Sequence, residues 1–236
     1  SFKTLDLDCL PSELEMQGAV KTVQSLVDRI VVSTPELADL LTGSAAQVVI
    51  LPTALGQHWA QPLRPRLPNS RLRIGCYVSS ERVSDLSLVQ TLMSRLPNVD
   101  WVLLGHVHPR LMGAAREIHR NVHYRDDRDA LASLNLDLAL IPLSDNLSNH
   151  CRDHSLLLEY GACAVPVICS DVSGFRTGLP VTRLGHAADE WLAEIAQHLH
   201  ETEGRINQGE VLRSNVLSNW IQDASRCKAS LEGWLP

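Results

Sequence analysis

The chain has 236 residues, of which 44% are apolar, and a formal net charge of −6. This length and apolar content suffice for a buried core in one large or two modest domains. The acidic balance argues against a nucleic acid partner and against a polybasic membrane patch. No apolar stretch reaches the roughly 18 residues that a membrane-spanning helix needs, so no transmembrane segment is expected within this sequence.

The cysteines and the first residues indicate the compartment. The six cysteines, at positions 9, 76, 151, 163, 169 and 227, are scattered and form no Cys-x-x-Cys pair. Several lie in apolar surroundings, as small core residues do. The opening SFKTLDLDCLP lacks the charged and apolar regions of a signal peptide. We therefore expect a cytoplasmic protein with free thiols.

The first sixty residues alternate between helix and strand patterns. Ser12 and Glu15 have the spacing of a capping box, and Thr34 with Pro35 is a helix start signal. The predicted elements are a helix at 12–27, a strand at 29–33, a helix at 35–43 and a strand at 47–51. Pro62, Pro65 and Pro68 then predict a stiff, extended linker at 61–70.

A second α/β array follows the linker. Its predicted strands are 71–77, 100–104, 121–124, 137–142, 167–169 and 181–184, and its predicted helices are 85–96, 109–118, 127–134, 156–164, 189–201 and 207–231. Strands that alternate with helices of this length indicate a parallel sheet, so the fold class is α/β, Rossmann-like, with helices on both faces. The predicted domains are 1–60, a linker at 61–70, 71–205, and a C-terminal helix at 206–236.

The most informative segment is 149–174, NHCRDHSLLLEYGACAVPVICSDVSG. It predicts a polar loop, an apolar helix that carries Glu159, a stop at Pro166 and a short buried strand. In parallel sheets, ligands bind where helix N-termini and strand C-termini meet. A helix N-terminus is an anion site, and a nearby carboxylate can accept hydrogen bonds from hydroxyl groups. This combination suits a sugar nucleotide.

The same segment resembles the donor-binding motif of GT-B glycosyltransferases of the glycogen-phosphorylase-like kind, meaning glycosyltransferase family 4 and its polysaccharide and O-antigen relatives. Asn149, Arg152, Leu158–Tyr160, Ala164–Ile168 and Ser170–Asp171 match its pattern of Asn, a basic residue, LEY or LEA, and G-x-P-V-I-x-S-D. Many relatives have a second glutamate where this chain has Cys151. Polysaccharide relatives often lack it too, so we interpret Cys151 as a subfamily trait.

The earlier part of the chain resembles other portions of the same enzymes. The strand–helix–strand run at 29–52 is similar to the end of their N-terminal domain, although Thr53 stands where the pattern has Asn. The loop VSSERVSD is similar to their G-x-x-x-x-x-H-x-x-D loop, with Arg82 in place of His. The resemblance therefore implies a GT-B C-terminal domain plus a remnant of the N-terminal domain, in a fragment or in an enzyme with a reduced acceptor half.

The resemblance implies roles for ten residues. Glu159 would bind the ribose, and Arg152 and Arg82 would neutralise the diphosphate of the leaving group, since guanidinium groups suit phosphate by geometry and permanent charge. The remaining donor-binding candidates are Ser80, Gly105, His123, Tyr124, Asn149, His154 and Ser155. Structural explanations stand beside these: a solvated glutamate, surface arginines, and helix caps at Asp153 and Ser155.

The implied activity is retaining, metal-independent transfer from a nucleotide-sugar donor, a co-substrate with no separate cofactor, to a glycan or carrier acceptor. A peripheral membrane contact through the absent N-terminal half is left open. The His106/His108 and His150/His154 pairs lack a third metal ligand at a suitable spacing. The alternatives are a non-catalytic nucleotide-sugar-binding or structural module and, more weakly, a sugar-nucleotide epimerase.

Overall fold

The computed structural model describes residues 4–7, 26–43, 45–79, 83–119, 128–222, 228 and 232. Its strands are β1 Thr4–Leu7, β2 Arg29–Val32, β3 Gln47–Ile50, β4 Arg73–Val78, β5 Asp100–Gly105, β6 Glu117–His119, β7 Leu138–Ile141, β8 Val167–Ser170 and β9 Thr182–Leu184. Its helices are α1 Pro35–Leu40, α2 Leu86–Arg95, α3 Pro109–Met112, α4 Arg128–Ser133, α5 Leu147–His150, α6 Ser155–Ala162, α7 Ala188–His200 and α8 Thr202–Asn219, with short 3-10 turns at Gln57–Ala60 and Ser173–Phe175.

The strands form two parallel sheets. A three-stranded sheet has the order β1-β2-β3, and a six-stranded sheet has the order β6-β5-β4-β7-β8-β9. From β4 the chain builds outward through β5 and β6, and then returns to the other side of β4 to add β7, β8 and β9. The topological switch point therefore lies between β4 and β7, and in such sheets ligands bind at the carboxyl ends of the strands at this point.

Two apolar clusters cover the two faces of the six-stranded sheet. On one face, Leu131 of α4, Leu157 of α6 and Leu212 of α8 pack against alternate strand residues. On the other face, Leu92 of α2 and Trp191 of α7 do so. The predicted arrangement, a Rossmann-like parallel sheet with helices on both faces, is confirmed.

The chain segment after β3 and the end of α8 connect the two sheets. The backbone of Leu55 pairs with both sides of Ile221: its N–H donates to Trp220 at 2.8 Å, and its carbonyl accepts from Gln222 at 2.7 Å. The side chains of Leu55 and Trp59 are buried in the core beneath the six-stranded sheet. Residues assigned from sequence to the first domain thus pack against the second array, while the domain boundaries themselves remain predictions.

Two predicted helices differ from the structure. The helix predicted at 109–118 ends at Met112, and Glu117–His119 is a strand instead. Pairing with β5 explains this, because Arg116 N–H already donates to the carbonyl of Trp101 at 2.8 Å. The long C-terminal helix begins earlier than predicted, at Thr202, and ends at Asn219.

The predicted helix at 12–27 lies outside the described residues except at its last two positions, and the predicted strand at 121–124 lies wholly outside them.

Candidate functional site

The loop after β4 meets the end of β7 at the switch point. Ser84 and Leu143 form an antiparallel bridge, and the N–H of Ser144 donates to the carbonyl of Val83 at 3.0 Å. The hydroxyl of Ser170, at the end of β8, accepts from Leu143 N–H at 2.8 Å and donates to its carbonyl at 3.1 Å. These bonds fix the carboxyl ends of three strands in one rigid rim.

An open cleft of about 320 Å³ lies along this rim. Its polar lining includes Ser84, Asp85, Gln90, His108, Arg110 and Ser144. Asp85 caps the N-terminus of α2, where its carboxylate accepts from Leu88 N–H at 3.0 Å. This carboxylate therefore places a negative charge at the N-terminus of α2 and binds one of its free N–H groups.

Asn149 connects the segment 149–174 to the rim by hydrogen bonds. Its side chain is fully buried, and its amide group donates to the carbonyl of Val83 at 2.8 Å and to that of Ser144 at 2.7 Å. Both amide protons are therefore used in holding the loop after β4 and the loop after β7 together. Val83 directly follows Arg82, the candidate diphosphate ligand of the loop after β4. Asn149 therefore holds the backbone immediately after that candidate.

His150 connects the motif segment to the loop after β8. Its Nδ1 accepts from the backbone N–H of Ser173 at 3.1 Å, so its Nε2 carries the proton and donates to Asp145 at 2.8 Å. The hydrogen bond from His150 lowers the pKa of the Asp145 carboxyl. His150 therefore links the segment 149–174 to the loops after β7 and β8, and among the described residues no group of three His, Cys, Asp or Glu side chains is placed to hold a metal ion.

Residues 151–153 contact the N-terminal part of the chain. The side chain of Cys151 is buried among Ile30, Val32 and Leu37, beside the three-stranded sheet. The hydroxyl of Thr34 donates to the carbonyl of Cys151 at 3.1 Å, and that of Thr53 donates to Asp153 Oδ2 at 2.7 Å.

Asp153 also contributes to the start of α6. Its Oδ1 accepts from the hydroxyl of Ser155 at 2.9 Å and, more weakly, from the backbone N–H of Ser155 at 3.4 Å. The N-cap position itself is occupied by His154, whose side chain makes no capping hydrogen bond. The cap expected at Asp153 or Ser155 is therefore wrong, and Asp153 acts on the helix start only through its bonds to Ser155.

His154 is buried against Trp220. Its ring is 4% exposed and meets the indole edge-on, with centroids 4.5 Å apart. Burial lowers the pKa of His154, which the nearby Asp153 carboxylate opposes. The imidazole is therefore neutral near pH 7.

Helix α6 is buried on nearly every side, including Glu159, which is 4% exposed. Two arginines cap its C-terminus: Arg213 donates to the carbonyl of Ala162, and Arg66 donates to that of Cys163 at 3.1 Å. Cations at this end complement the helix dipole. Glu159 lies on the second turn of α6, about one turn closer to the helix N-terminus than the two carbonyl groups that these arginines bind.

Residues 149–154, which we call the motif loop, comprise the last two residues of α5 and the connection to α6. They contain several unsatisfied polar atoms. Five buried side-chain atoms in the described part of the chain have no hydrogen-bond partner, and three of them are Asn149 Oδ1, Arg152 Nε and His154 Nε2. An unsatisfied buried polar atom costs about 1–3 kcal/mol. Three of the five atoms fall within the six residues that precede α6.

The ten predicted site residues fall into three groups. Asn149, Arg152, His154, Ser155 and Glu159 lie in the motif loop and in α6, which directly follows it, and none of them lines the cleft along the rim. Gly105 lies at the end of β5 with φ of 104°, where a Cβ would overlap the carbonyl of Val78, so strand packing by itself requires this glycine. Ser80, Arg82, His123 and Tyr124 lie outside the described residues.

Sequence reasoning missed several residues that shape the site. Ser84 and Ser170 fix the rim, and Trp220 covers His154. Ser170 belongs to the matched motif, although its motif position does not reveal that its hydroxyl bonds Leu143, and Ser84 and Trp220 carry no distinctive sequence signal. Thr53 did carry a signal, because it departs from the asparagine of the N-terminal domain pattern.

No protein-family model matches the chain, and no curated protein sequence matches it either. Solved structures do. Anabaena HepE in complex with UDP and glucose is 12% identical with a TM-score of 0.73, over 98% of this chain and 70% of HepE. A mutant of S. aureus TarM in complex with UDP is 11% identical with a TM-score of 0.69, over 100% of this chain and 51% of TarM. WaaG, a glycosyltransferase involved in lipopolysaccharide biosynthesis, is 17% identical with a TM-score of 0.64, over 93% of this chain and 67% of WaaG.

These likenesses confirm the fold expected from the motif, the Rossmann-like fold of GT-B glycosyltransferases. The chain spans about half the length of TarM and about two thirds of HepE and WaaG. The more specific resemblance to glycosyltransferase family 4 stays a prediction. In the described part of the chain, no helix is long and apolar enough to cross a membrane.

Proposed function

We propose that this chain binds a nucleotide-sugar donor and forms the donor side of a glycosyltransferase active site. The fold supports glycosyl transfer in general, because the solved structures that share it include HepE with UDP and glucose and TarM with UDP. The observation that carries the proposal is the cluster of unsatisfied buried atoms in the motif loop. A nucleotide sugar offers both hydroxyl donors and phosphate acceptors to such atoms.

Each residue has a proposed role. Arg152 stabilises the negative charge that develops on the diphosphate as its bond to the sugar breaks, and Arg82 assists from the loop after β4. The dipole of α6, whose N-terminus follows the motif loop, adds a positive potential there. Glu159 accepts hydrogen bonds from the ribose hydroxyls, and residues 121–125 contact the base. The reaction is retaining and metal-independent, as the resemblance implies.

The acceptor is a cell-surface glycan or a glycosylated carrier, and its binding residues belong to the N-terminal half of the enzyme. We place the reaction in the cytoplasm. Four free, buried cysteines support a reducing compartment.

Calorimetry with UDP-, GDP- and dTDP-sugars tests the proposal. We expect the wild-type protein to bind one of them, and Arg152→Ala to weaken that binding by at least tenfold because a charge-assisted hydrogen bond is lost. Arg95→Ala is the matched control, since Arg95 is exposed and forms a surface ion pair with the exposed Asp189 at 2.7 Å. Absence of binding at about 1 mM ligand, the threshold for roughly −4 kcal/mol, would contradict the proposal.

One observation favours the second candidate, a non-catalytic module. Cys151 stands where many related enzymes have a glutamate, and burial raises the pKa of its thiol to about 11. A neutral thiol in the core of the three-stranded sheet cannot replace a carboxylate in the site. The discriminating measurement is sugar transfer or donor hydrolysis by the full-length protein and its Arg152→Ala, Glu159→Ala double variant: equal activity in both favours the module.

A further inference from the structure

We propose that Thr53 is a positioning residue for the donor site: through Asp153 it sets the conformation of the motif loop, so that the N-terminal part of the chain controls donor affinity. This inference rests on the proposed function and extends it to a residue about 100 positions away in sequence. It starts from a hydrogen bond between the two parts of the chain, from Thr53 Oγ1 to Asp153 Oδ2 at 2.7 Å.

Thr53 is held in place from both sides. Two residues before it, the N–H of Leu51 donates to the carbonyl of Val32 at 2.8 Å, which continues the β2–β3 ladder. Two residues after it, Leu55 pairs with Trp220 and Gln222. A hydroxyl between two such fixed points is preorganised, so it loses little conformational freedom when it binds the carboxylate.

Asp153 links Thr53 to the start of α6, the helix that carries Glu159. One carboxylate oxygen accepts from Thr53, and the other accepts from the hydroxyl and N–H of Ser155. The same carboxylate therefore joins the N-terminal part of the chain to the first residue of α6. A change of the backbone at Asp153 would also move Arg152 and His154, its immediate neighbours, and with them two of the unsatisfied atoms of the motif loop.

Two further contacts hold the loop against the N-terminal part. Thr34 Oγ1 donates to the carbonyl of Cys151 at 3.1 Å, and the Cys151 side chain is packed in the core of the three-stranded sheet. These contacts fix the beginning of the loop. The Thr53–Asp153 bond fixes its end, where α6 starts.

The test compares Thr53→Val with Thr53→Ser. Valine has a similar shape without the hydroxyl, and serine restores the hydroxyl without the methyl group. We expect Thr53→Val to raise the Kd for UDP about tenfold, because the loss of one hydrogen bond to a charged group lowers the population of the binding-competent loop by about that factor, and Thr53→Ser to restore it to within about threefold. Thr42→Val is the matched control, because Thr42 is exposed and its hydroxyl donates only locally, to the carbonyl of Asp39 at 2.6 Å.

Amide hydrogen exchange without ligand supplies a second readout. We expect Thr53→Val to speed exchange at Ser155 and Leu156, at the start of α6, and to leave the strand β4 unchanged. This readout separates the inference from the proposed function. If the wild-type protein binds none of the UDP-, GDP- and dTDP-sugars, the proposed function fails, and the exchange pattern still decides whether Thr53 positions the loop.

Two results would overturn the inference. One is a Thr53→Val protein that matches the wild type both in UDP affinity and in exchange at the start of α6. The other is faster exchange throughout the protein, including β4, with a loss of affinity that Thr53→Ser does not restore. That result would make Thr53 an ordinary contributor to stability.

Discussion

The carbonyl oxygen of Arg152 occupies the space that a Cβ atom at Gly174 would need. The loop after β8 therefore lies directly on the backbone of the motif loop, and only glycine permits this approach. The hydrogen bond from Ser173 N–H to His150 holds the same two loops together at 3.1 Å.

The first prediction concerns this contact. Gly174→Ala forces the two loops apart, because the obstacle is backbone and cannot rotate away, and we expect a loss of about 1–3 kcal/mol in the free energy of unfolding together with weaker donor binding. Gly178→Ala is the control, since a Cβ there meets nothing within 4 Å. Urea denaturation of both variants checks the prediction, and equal midpoints would contradict it.

A second prediction uses the isosteric change Asn149→Asp. The amide group of Asn149 donates to two carbonyl oxygens, and a carboxylate would place a charged acceptor against both of them. We expect a destabilisation of about 2–4 kcal/mol, measured by thermal unfolding. Asn146→Asp, at the N-cap of α5, should change little, because its side chain serves as an acceptor there and aspartate caps equally well. Similar losses in both variants would argue against the role given to Asn149.

A third prediction tests the rim of the sheet. Ser170→Ala leaves the N–H and the carbonyl of Leu143 without the hydroxyl that binds both, in a fully buried place. We expect it to cost about 1–3 kcal/mol of stability. Ser94→Ala removes an exposed hydroxyl that bonds a carbonyl in its own helix, and it should be close to neutral. Chemical denaturation compares the two, and a neutral Ser170→Ala would mean that the rim does not depend on this hydroxyl.

The fourth prediction is a pH dependence. Burial lowers the pKa of His154 below its ordinary value of 6.5, so between the two values the unfolded chain binds a proton that the folded protein does not. The stabilising effect of a neutral His154 is complete above about pH 6.5 and is lost as the pH falls from there towards the lower folded value. Stability should therefore decrease on acidification in this range.

The variant His154→Phe isolates this contribution. Phenylalanine keeps a ring against Trp220 and does not titrate, so its Tm should fall less than that of the wild type between about pH 7.5 and pH 5.5. His198, whose pKa is also lowered by burial, remains in both proteins and cancels in the comparison. The exposed His200 provides a control as His200→Gln. Parallel Tm curves for His154→Phe and the wild type would show that His154 contributes nothing to the slope.

Local signals in the sequence identified most elements of the fold. Thr34 caps α1 as predicted, with its hydroxyl accepting from Leu37 N–H at 3.3 Å, and the apolar run at Leu156–Leu158 became the buried helix α6. The element pattern was sufficient for the parallel sheet with helices on both faces. It failed at 117–119, where β-sheet pairing with a strand distant in sequence overrode a local preference for helix.

The candidate site was determined in part by the sequence. The motif loop and α6 form one continuous segment, so the relation between Asn149, Arg152 and Glu159 follows from local chain geometry alone. The bonds of Thr53 to Asp153 and of Thr34 to Cys151 join residues about a hundred positions apart. They depend on how the two sheets pack together. A single sequence encodes a helix through the period of its neighbouring residues, whereas contacts between distant segments are decided only when tertiary packing places their surfaces against each other.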